Sequence, residues 1–410
     1  MADAAYNRGD YERVIDAAER MLKIAESRLH DCRRISYCQD RLAKAYDKLG
    51  NYEYADSLFK ESLRITAECG SVTELDFAIG LHNYGQFCME QERYVEAESL
   101  LQLSIERFER VPDEDPVFYA FALYRLGSTR EALHKEYSAL PAYEHSASIL
   151  ETHLPGSAHL ALVLERLGVF YRDAELYDDA EQALRKSLKY MQATYDSTYP
   201  GVVELTAALA RFLGFVARYD EAESLWNRAI RLAAQVNGDT VYPVTDYQIE
   251  LGYSFMSQGR LAEADSLIDR NLPFCCAELG EFAPPAVLGL MRLGKLRALQ
   301  GRQVEAESLL TLAVERGTEK LGADCWIDLL ARNALGTFYL KNGRFAEALP
   351  IFEALITSSE SVYGDSHPRV ARALYKCTTA LRGLGRGAEA IPLEQRAGQI
   401  RLDPRTTSIG

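Results

Sequence analysis

The 410-residue sequence lacks any uninterrupted apolar run of about 20 residues, which is the length that a membrane-spanning helix requires. Its first residues contain no basic segment followed by an apolar core, so the sequence predicts no secretory signal peptide. We therefore expect a cytoplasmic protein that is not inserted into a membrane.

The sequence also lacks the short motifs with which common enzyme classes hold phosphates or activate nucleophiles. It contains no G-x-x-x-x-G-K-[ST] loop, no G-x-G-x-x-G after a strand and no G-x-S-x-G elbow. The 7 histidines show neither HExxH spacing nor a paired cysteine set, so no metal and no cofactor are expected. These absences predict a protein without catalytic residues, which is not an enzyme.

Cysteines and basic residues are each too sparsely arranged to define a site. The 8 cysteines show no C-x-x-C pair, and we interpret them as buried or partly buried reduced thiols. Acidic residues outnumber basic ones by 60 to 46, which gives a formal net charge of −14. No basic stripe appears, so a nucleic-acid partner is not expected.

What the sequence does contain is a period of 42 residues that is marked by alanine. Successive intervals are 42 residues, apart from one of 41, and the alanines are Ala55, Ala97, Ala139, Ala180, Ala222, Ala264, Ala306, Ala348 and Ala390. A large residue and a small one stand 13 and 12 positions before most of them, as in Leu335-Gly336. Such a fixed period is the signature of a repeat protein, in which each unit packs on its neighbours.

Each period predicts two amphipathic helices. In the clearest copy, apolar residues recur at helical spacing from Leu329 to Leu340, and again from Phe345 to Ile356. Gly343 between them can adopt the left-handed conformation that ends a helix. Many acidic residues stand beside the repeat alanines, in the first turn of the second helix, where the helix dipole favours a carboxylate.

This pattern resembles the tetratricopeptide repeat, and its 42-residue period and the Gly-Asp-Ser-His-Pro-x-Val-Ala sequence at 364–371 are similar to kinesin light chain repeats. The resemblance implies an all-α, right-handed superhelical solenoid of helix-turn-helix hairpins. We expect one solenoid over residues 1–402, with an incomplete first repeat at 1–34 and about nine further repeats. Residues 403–410 are expected to form a disordered tail.

In the family, the first helices line a concave groove that holds a peptide or a helix of a partner protein. Carried over by offset from each alanine, the resemblance implies a groove lined by Tyr37, Lys44, His82, Asn83, Gln86, Met89, Tyr124, Glu165, Arg172, Arg211, Tyr253, Met256, Met291, Lys295, Asn333, Thr337 and Tyr375. Asn83 and Asn333 occupy positions where kinesin light chain repeats carry asparagines that bond a peptide backbone.

Two functions remain open at this stage. The first is a scaffold or adaptor that holds a peptide or a helix of another protein in the groove. The second is a regulatory or assembly subunit that self-associates through uncapped ends or acts through its convex face. Chaperone-binding members of the family hold a terminal carboxylate with a Lys/Asn/Asn/Lys/Arg set, which we do not find at the matching positions. The charges of the groove positions alternate in sign, which favours a partner with both signs or a largely apolar one.

Overall fold

The computed structural model describes residues 10–29, 31–70, 72–238, 241–321 and 325–402. These residues form nineteen α-helices and contain no strand, which confirms the prediction of an all-α protein. The chain divides into two compact units, unit 1 (Met1–Leu167) and unit 2 (Gly168–Gly410). The predicted tail at 403–410 and the part of the first repeat before residue 10 lie outside the described residues.

The helices of unit 1 pack as consecutive hairpins, each built from an even-numbered helix and the odd-numbered helix after it. They are α1 (Tyr11–Ile24), α2 (Cys32–Lys48), α3 (Tyr52–Glu68), α4 (Glu74–Glu90), α5 (Tyr94–Phe108), α6 (Pro116–Ala132) and α7 (Glu136–His153), with a π-helical turn (Ala25–Leu29) after α1. The next helix, α8 (Ala158–Asp173), contains the boundary between the units.

Unit 2 continues with the same alternation of helices. Its helices are α9 (Tyr177–Thr194), α10 (Pro200–Phe215), α11 (Tyr219–Asn237), α12 (Val244–Ser257), α13 (Leu261–Leu279), α14 (Pro284–Leu299), α15 (Gln303–Leu321), α16 (Trp326–Lys341), α17 (Phe345–Tyr363), α18 (Pro368–Gly383) and α19 (Gly387–Leu402). Even-numbered helices are the first helices of the repeats, and odd-numbered helices are the second helices.

The alanine period marks the closest contacts inside the hairpins, as predicted. All nine repeat alanines are completely buried. In the repeats whose first helix carries a glycine at the contact, the side chain four residues after the alanine, such as Ile268 or Phe352, faces that glycine. A Cβ atom added to Gly252 would lie 2.7 Å from Ile268, and one added to Gly336 would lie 2.8 Å from Phe352. The small residue is therefore required by the side chain that faces it.

Arginines in the turns connect successive repeats along the second helices. Arg218 donates to Glu221 in its own repeat at 2.7 Å and to Glu181 in the preceding repeat at 2.6 Å. Arg344 repeats this arrangement with Glu347 and Glu307, both at 2.6 Å. These pairs are partly exposed, so each contributes at most about 1 kcal/mol. Many acidic residues beside the alanines thus have an arginine partner in addition to the helix dipole.

One cysteine pair departs from the sequence-based expectation. Cys32 begins α2, Cys69 directly follows α3, and the two form a disulfide with their Cα atoms 6.3 Å apart. The expectation that all cysteines are reduced is therefore wrong for this pair, which joins the two open ends of hairpin α2/α3. The sequence could not show it, because the cysteines are separated by 37 residues and belong to no local motif.

Candidate functional site

Within each unit, successive first helices contact one another as well as their own second helices. These contacts join α2, α4 and α6 in unit 1, and α10, α12, α14, α16 and α18 in unit 2. Polar pairs about one repeat apart bridge the same helices: Asp40 to Asn83 in unit 1, and Asn333 to Lys376 in unit 2. We call the surface that these helices share in each unit the first-helix face.

The first-helix face of unit 1 carries opposite charges in balanced pairs. Lys44 lies 3.0 Å from the Asp40 carboxylate, and the Asn83 amide donates to the same carboxylate oxygen at 3.0 Å. Lys48 contacts Asp47 at 2.9 Å and Glu90 at 2.7 Å. Burial lowers the pKa of Lys48, but hydrogen bonds to these two carboxylates outweigh it, and the pKa is raised overall.

An open depression of about 400 Å³ lies on this part of the face. Its charged lining includes Lys44, Asp47, Lys48 and Glu90. Its apolar lining includes the partly buried Ile79 and Phe118, whereas Phe59 and Phe87 are only 2% and 3% exposed. Tyr37 also lines the depression, and 48% of the surface of this residue is exposed. The depression therefore offers a partner apolar contact and paired charges together.

In unit 2, the first-helix face begins with a buried carboxylate. Glu250 on α12 accepts from Arg292 on α14 at 2.6 Å and from Arg211 on α10 at 3.3 Å. Burial, and then the charge of Glu250, raise the pKa of the neighbouring Asp246 to about 6. Beyond this network, the Arg292 guanidinium and the Lys295 ammonium lie 5.7 Å and 5.8 Å from the centre of the Tyr253 ring. Both distances suit a cation–π contact.

The face of α14, α16 and α18 carries cations that have no acidic partner among the residues that the structure describes. Lys376 donates to the Asn333 amide oxygen at 2.6 Å and to the Thr337 hydroxyl at 2.9 Å. Burial first, and then the charges of Lys295, Arg372 and Lys341, together lower the pKa of Lys376 to about 8. Burial also lowers the pKa of Lys295, with contributions from Arg292 and Lys341.

We call Lys295, Lys341, Arg372 and Lys376 the cationic cluster. The charge of Lys341 lowers the pKa of both Lys295 and Lys376, and the charges of Lys295 and Arg372 also lower the pKa of Lys376. Among the residues that the structure describes, none of the four forms an ion pair with a carboxylate, whereas the adjacent Arg292 pairs with Glu250 and Arg332 with Asp328. The cluster is therefore a local concentration of positive charge in an acidic chain.

The residues predicted to line the groove differ widely in exposure. Exposed are Tyr37, Arg211 and Tyr253; partly buried are Lys44, Gln86, Met89, Tyr124, Glu165, Arg172, Lys295, Asn333, Thr337 and Tyr375; buried are His82, Asn83, Met256 and Met291. The four buried residues have little surface left for a ligand, although Asn83 still lines the depression of unit 1. His82, for example, is 4% exposed and packs edge-on against Phe118.

Several of the predicted groove residues contact a common neighbour that was not among the predicted residues. Lys44 and Asn83 meet at Asp40, and Asn333 and Thr337 meet at Lys376. Lys376, Arg292 and Glu250 share one repeat position, fourteen residues before the alanine, which also contains Asn83. A search of that position for charged residues would have found all three.

The described ranges contain neither a candidate membrane-spanning helix nor a candidate metal-binding cluster. No helix there is long and apolar enough to cross a membrane. No group of three His, Cys, Asp or Glu side chains in the same residues is arranged to hold a metal ion.

The sequence matches the tetratricopeptide repeat family at residues 38–69, 76–152, 159–240 and 328–402. These segments cover more than half of the chain, which therefore belongs to the tetratricopeptide repeat family, as its period predicted. Proteins of this fold are in general interaction scaffolds. No curated protein is similar enough to the sequence to count as a relative.

Several solved structures are similar to the chain. The quorum sensor NprR from B. thuringiensis, in its apo form, is 14% identical with a TM-score of 0.52 over 97% of either chain. BtubC (BKLC) from P. vanneervenii is 20% identical with a TM-score of 0.49, over 57% of this chain and 94% of its own. The repeats of a putative kinesin light chain from Podosopora anserina are 20% identical with a TM-score of 0.42, over 50% of this chain and 96% of theirs.

Proposed function

We propose that the chain is a non-catalytic, cytoplasmic scaffold that holds an extended peptide or a helix of a partner protein on its first-helix face. The observation that carries this proposal is the open depression of unit 1. It combines the accessible aromatic rings of Tyr37 and Phe118 with charged and polar groups, and interfaces that recognise peptides use aromatic anchors beside polar contacts in this way. A linear ligand can contact several first helices in turn, because these helices adjoin one another within each unit.

A peptide-display selection against the purified chain tests the proposal, and the structure supplies a matched pair of variants. Tyr37→Ala with Tyr253→Ala removes two tyrosines of the first-helix face, which are 48% and 37% exposed. Tyr54→Ala with Tyr177→Ala removes two tyrosines of second helices, which are 46% and 39% exposed. Both variants lose similar exposed aromatic surface, so only the position differs.

We expect the selection to enrich a shared motif, and we expect a synthetic peptide of that motif to bind the first variant at least about tenfold more weakly. Loss of one aromatic anchor at an interface commonly has an effect of this size. The control variant should bind like the wild type. A selection that enriches no motif would contradict the proposal. So would an equal loss of peptide binding in the two variants.

The second function, self-association, is favoured by one observation on the last helix. Ile391 on α19 is 51% exposed, although it stands next to the buried repeat alanine Ala390. Light scattering over a concentration series tests this alternative. A mass that rises with concentration and that Ile391→Glu returns to one chain would support it, and a constant mass of one chain would exclude it.

A further inference from the structure

The Cys32–Cys69 disulfide joins the two ends of hairpin α2/α3 at a partly exposed point of unit 1. Cys32 is the first residue of α2 and Cys69 directly follows α3, so the closed loop contains the whole hairpin. Cys38, Cys88 and Cys275 are free thiols that are at most 1% exposed. The disulfide is therefore within reach of a reagent in solution, whereas those three thiols are not.

Cys69 is the more accessible partner for a reductant. Its backbone is extended, and it stands between Glu68 and Gly70, which are both exposed. A Cβ atom built on Gly70 would meet no atom of the surrounding residues within 4 Å, so the space beside Cys69 is open. A thiolate can therefore approach the Cys69 sulfur, as thiol–disulfide exchange requires.

Cys32 is placed to be the leaving group of this exchange. A thiolate at the first residue of a helix is stabilised by the positive end of the helix dipole. The neighbouring side chains are charge-balanced, because Arg33 pairs with Asp76 at 2.8 Å and Arg34 pairs with Asp31 at 3.2 Å. The helix dipole is then the main influence on a Cys32 thiolate. Exchange is faster when the leaving thiolate is more stable, which favours reduction of this disulfide in the folded chain.

Hairpin α2/α3 also forms one wall of the depression of unit 1. Tyr37 and Asp40 on α2 line the depression, and so does Phe59 on α3, which packs against Phe87 on α4 with ring centres 5.2 Å apart. Tyr37 stands five residues after Cys32, which is about 7.5 Å along the helix. A crosslink opposes opening of the loop that it closes. Its loss over 37 residues should make opening of the hairpin more frequent by on the order of 100-fold.

We infer that the Cys32–Cys69 pair is a reversible redox modification site, at which a dithiol reductant controls how often hairpin α2/α3 opens and thereby the wall of the depression. One thiolate of the reductant attacks the Cys69 sulfur, the S–S bond breaks, and its electron pair leaves on Cys32. The second thiolate of the reductant attacks the mixed disulfide, forms the disulfide of the reductant and releases Cys69. The two cysteines take up the two protons that the dithiol has lost. This inference goes beyond the proposed function and does not depend on what binds in the depression.

The reduction step is tested on the folded full chain, with dithiothreitol as the dithiol. Samples are quenched with N-ethylmaleimide at intervals, and mass spectrometry of proteolytic peptides identifies the modified cysteines. We expect both Cys32 and Cys69 to become modified at a rate that rises in proportion to the dithiothreitol concentration, as direct attack on an accessible disulfide requires. A rate that stops rising at the rate of global unfolding would overturn the inference, because the disulfide would then be protected by the fold.

Hydrogen–deuterium exchange measures the effect of reduction on the hairpin. We expect amides of α2 and α3 to exchange at least about tenfold faster in the reduced chain, and those of α6 and α7 to change by less than about twofold. Oxidised glutathione should restore the protection. The Cys32→Ser, Cys69→Ser double variant should exchange like the reduced wild type and should not respond to dithiothreitol.

A matched control removes the two partly exposed free thiols instead. Cys276→Ser with Cys325→Ser should respond to dithiothreitol like the wild type. A control variant that no longer responds would assign the effect to those thiols and overturn the inference. So would unchanged exchange of α2 and α3 after complete reduction, an equal increase in α6 and α7, or protection that oxidised glutathione does not restore.

Discussion

Replacing Gly252 by alanine places a methyl group where hairpin α12/α13 has no room for it. The added Cβ would lie 2.7 Å from Cγ1 of Ile268, 3.2 Å from Cβ of Leu267 and 3.3 Å from the carbonyl oxygen of Ala264. Ile268 is completely buried, and the Ala264 carbonyl belongs to helix backbone, so neither can move freely. Forcing an extra methyl group into such a contact typically costs about 1–3 kcal/mol.

Alanine also favours a helix over glycine by about 1 kcal/mol, which acts in the opposite direction. Gly214→Ala isolates this second effect, because a Cβ at that helical position would lie 3.8 Å from Ser254 and 3.9 Å from Ala222, at ordinary contact distance. We expect Gly214→Ala to raise the free energy of unfolding by about 0.5–1 kcal/mol. Gly252→Ala should leave it unchanged or lower it by up to about 2 kcal/mol.

Urea denaturation of both variants, followed by far-UV circular dichroism, gives the difference between them. That difference should be about 1–3 kcal/mol, because the gain in helix propensity is common to both variants and cancels. Equal stability of the two variants would refute the close packing of the hairpin on which the repeat register depends. A stabilised Gly252→Ala variant would refute it more strongly.

Three further predictions concern other parts of the chain. Ala222→Leu should lower the free energy of unfolding by about 1–3 kcal/mol in urea denaturation, since Ala222 is completely buried, and unchanged stability would disprove the helix register. Asp246→Asn should stabilise the chain by about 1–3 kcal/mol at pH 7.5. Burial and the charge of Glu250 raise the pKa of Asp246 to about 6 in the folded chain. Protonation of Asp246 therefore contributes stability that is fully present below about pH 4 and is lost as the pH rises through 6. This gain should vanish in denaturation at pH 4, and a gain that persists there would have another cause. Dithiothreitol should lower the thermal midpoint of the wild type and leave that of the Cys32→Ser, Cys69→Ser double variant unchanged. The reason is that a disulfide that closes a loop of this length contributes about 2–4 kcal/mol. An equal change of the thermal midpoint in both proteins would contradict a formed disulfide.

The repeat register could be predicted from sequence because it depends on a constraint that leaves few alternatives. Two helices that approach closely accept only small side chains at the contact, so Ala348 and its counterparts recur at a fixed interval. The large side chain that fills the same contact, four residues later, is harder to predict. Its residue type varies from Leu101 to Tyr143 to Trp226, and what these side chains share is their burial.

The candidate site was less predictable, because it depends on neighbours in other repeats. Lys44 and Lys295 have the same repeat position, yet one lies beside Asp40 and the other beside further cations. Lys376 reaches Asn333 across 43 residues of sequence. A sequence pattern within one repeat predicts which positions face a common surface. It does not predict which charged side chains of different repeats contact one another there.

Site-specific photocrosslinking tests most directly whether a partner peptide lies on the first helices. Benzoylphenylalanine would replace Leu330 on first helix α16, which is 37% exposed, and in a separate variant Val304 on second helix α15, which is 83% exposed. Val304 is the more accessible position, so indiscriminate contact would label it more strongly. We predict that a peptide from the display selection crosslinks at Leu330 and not at Val304. Crosslinking at Val304 alone, or at neither position while the peptide is bound, would contradict the account.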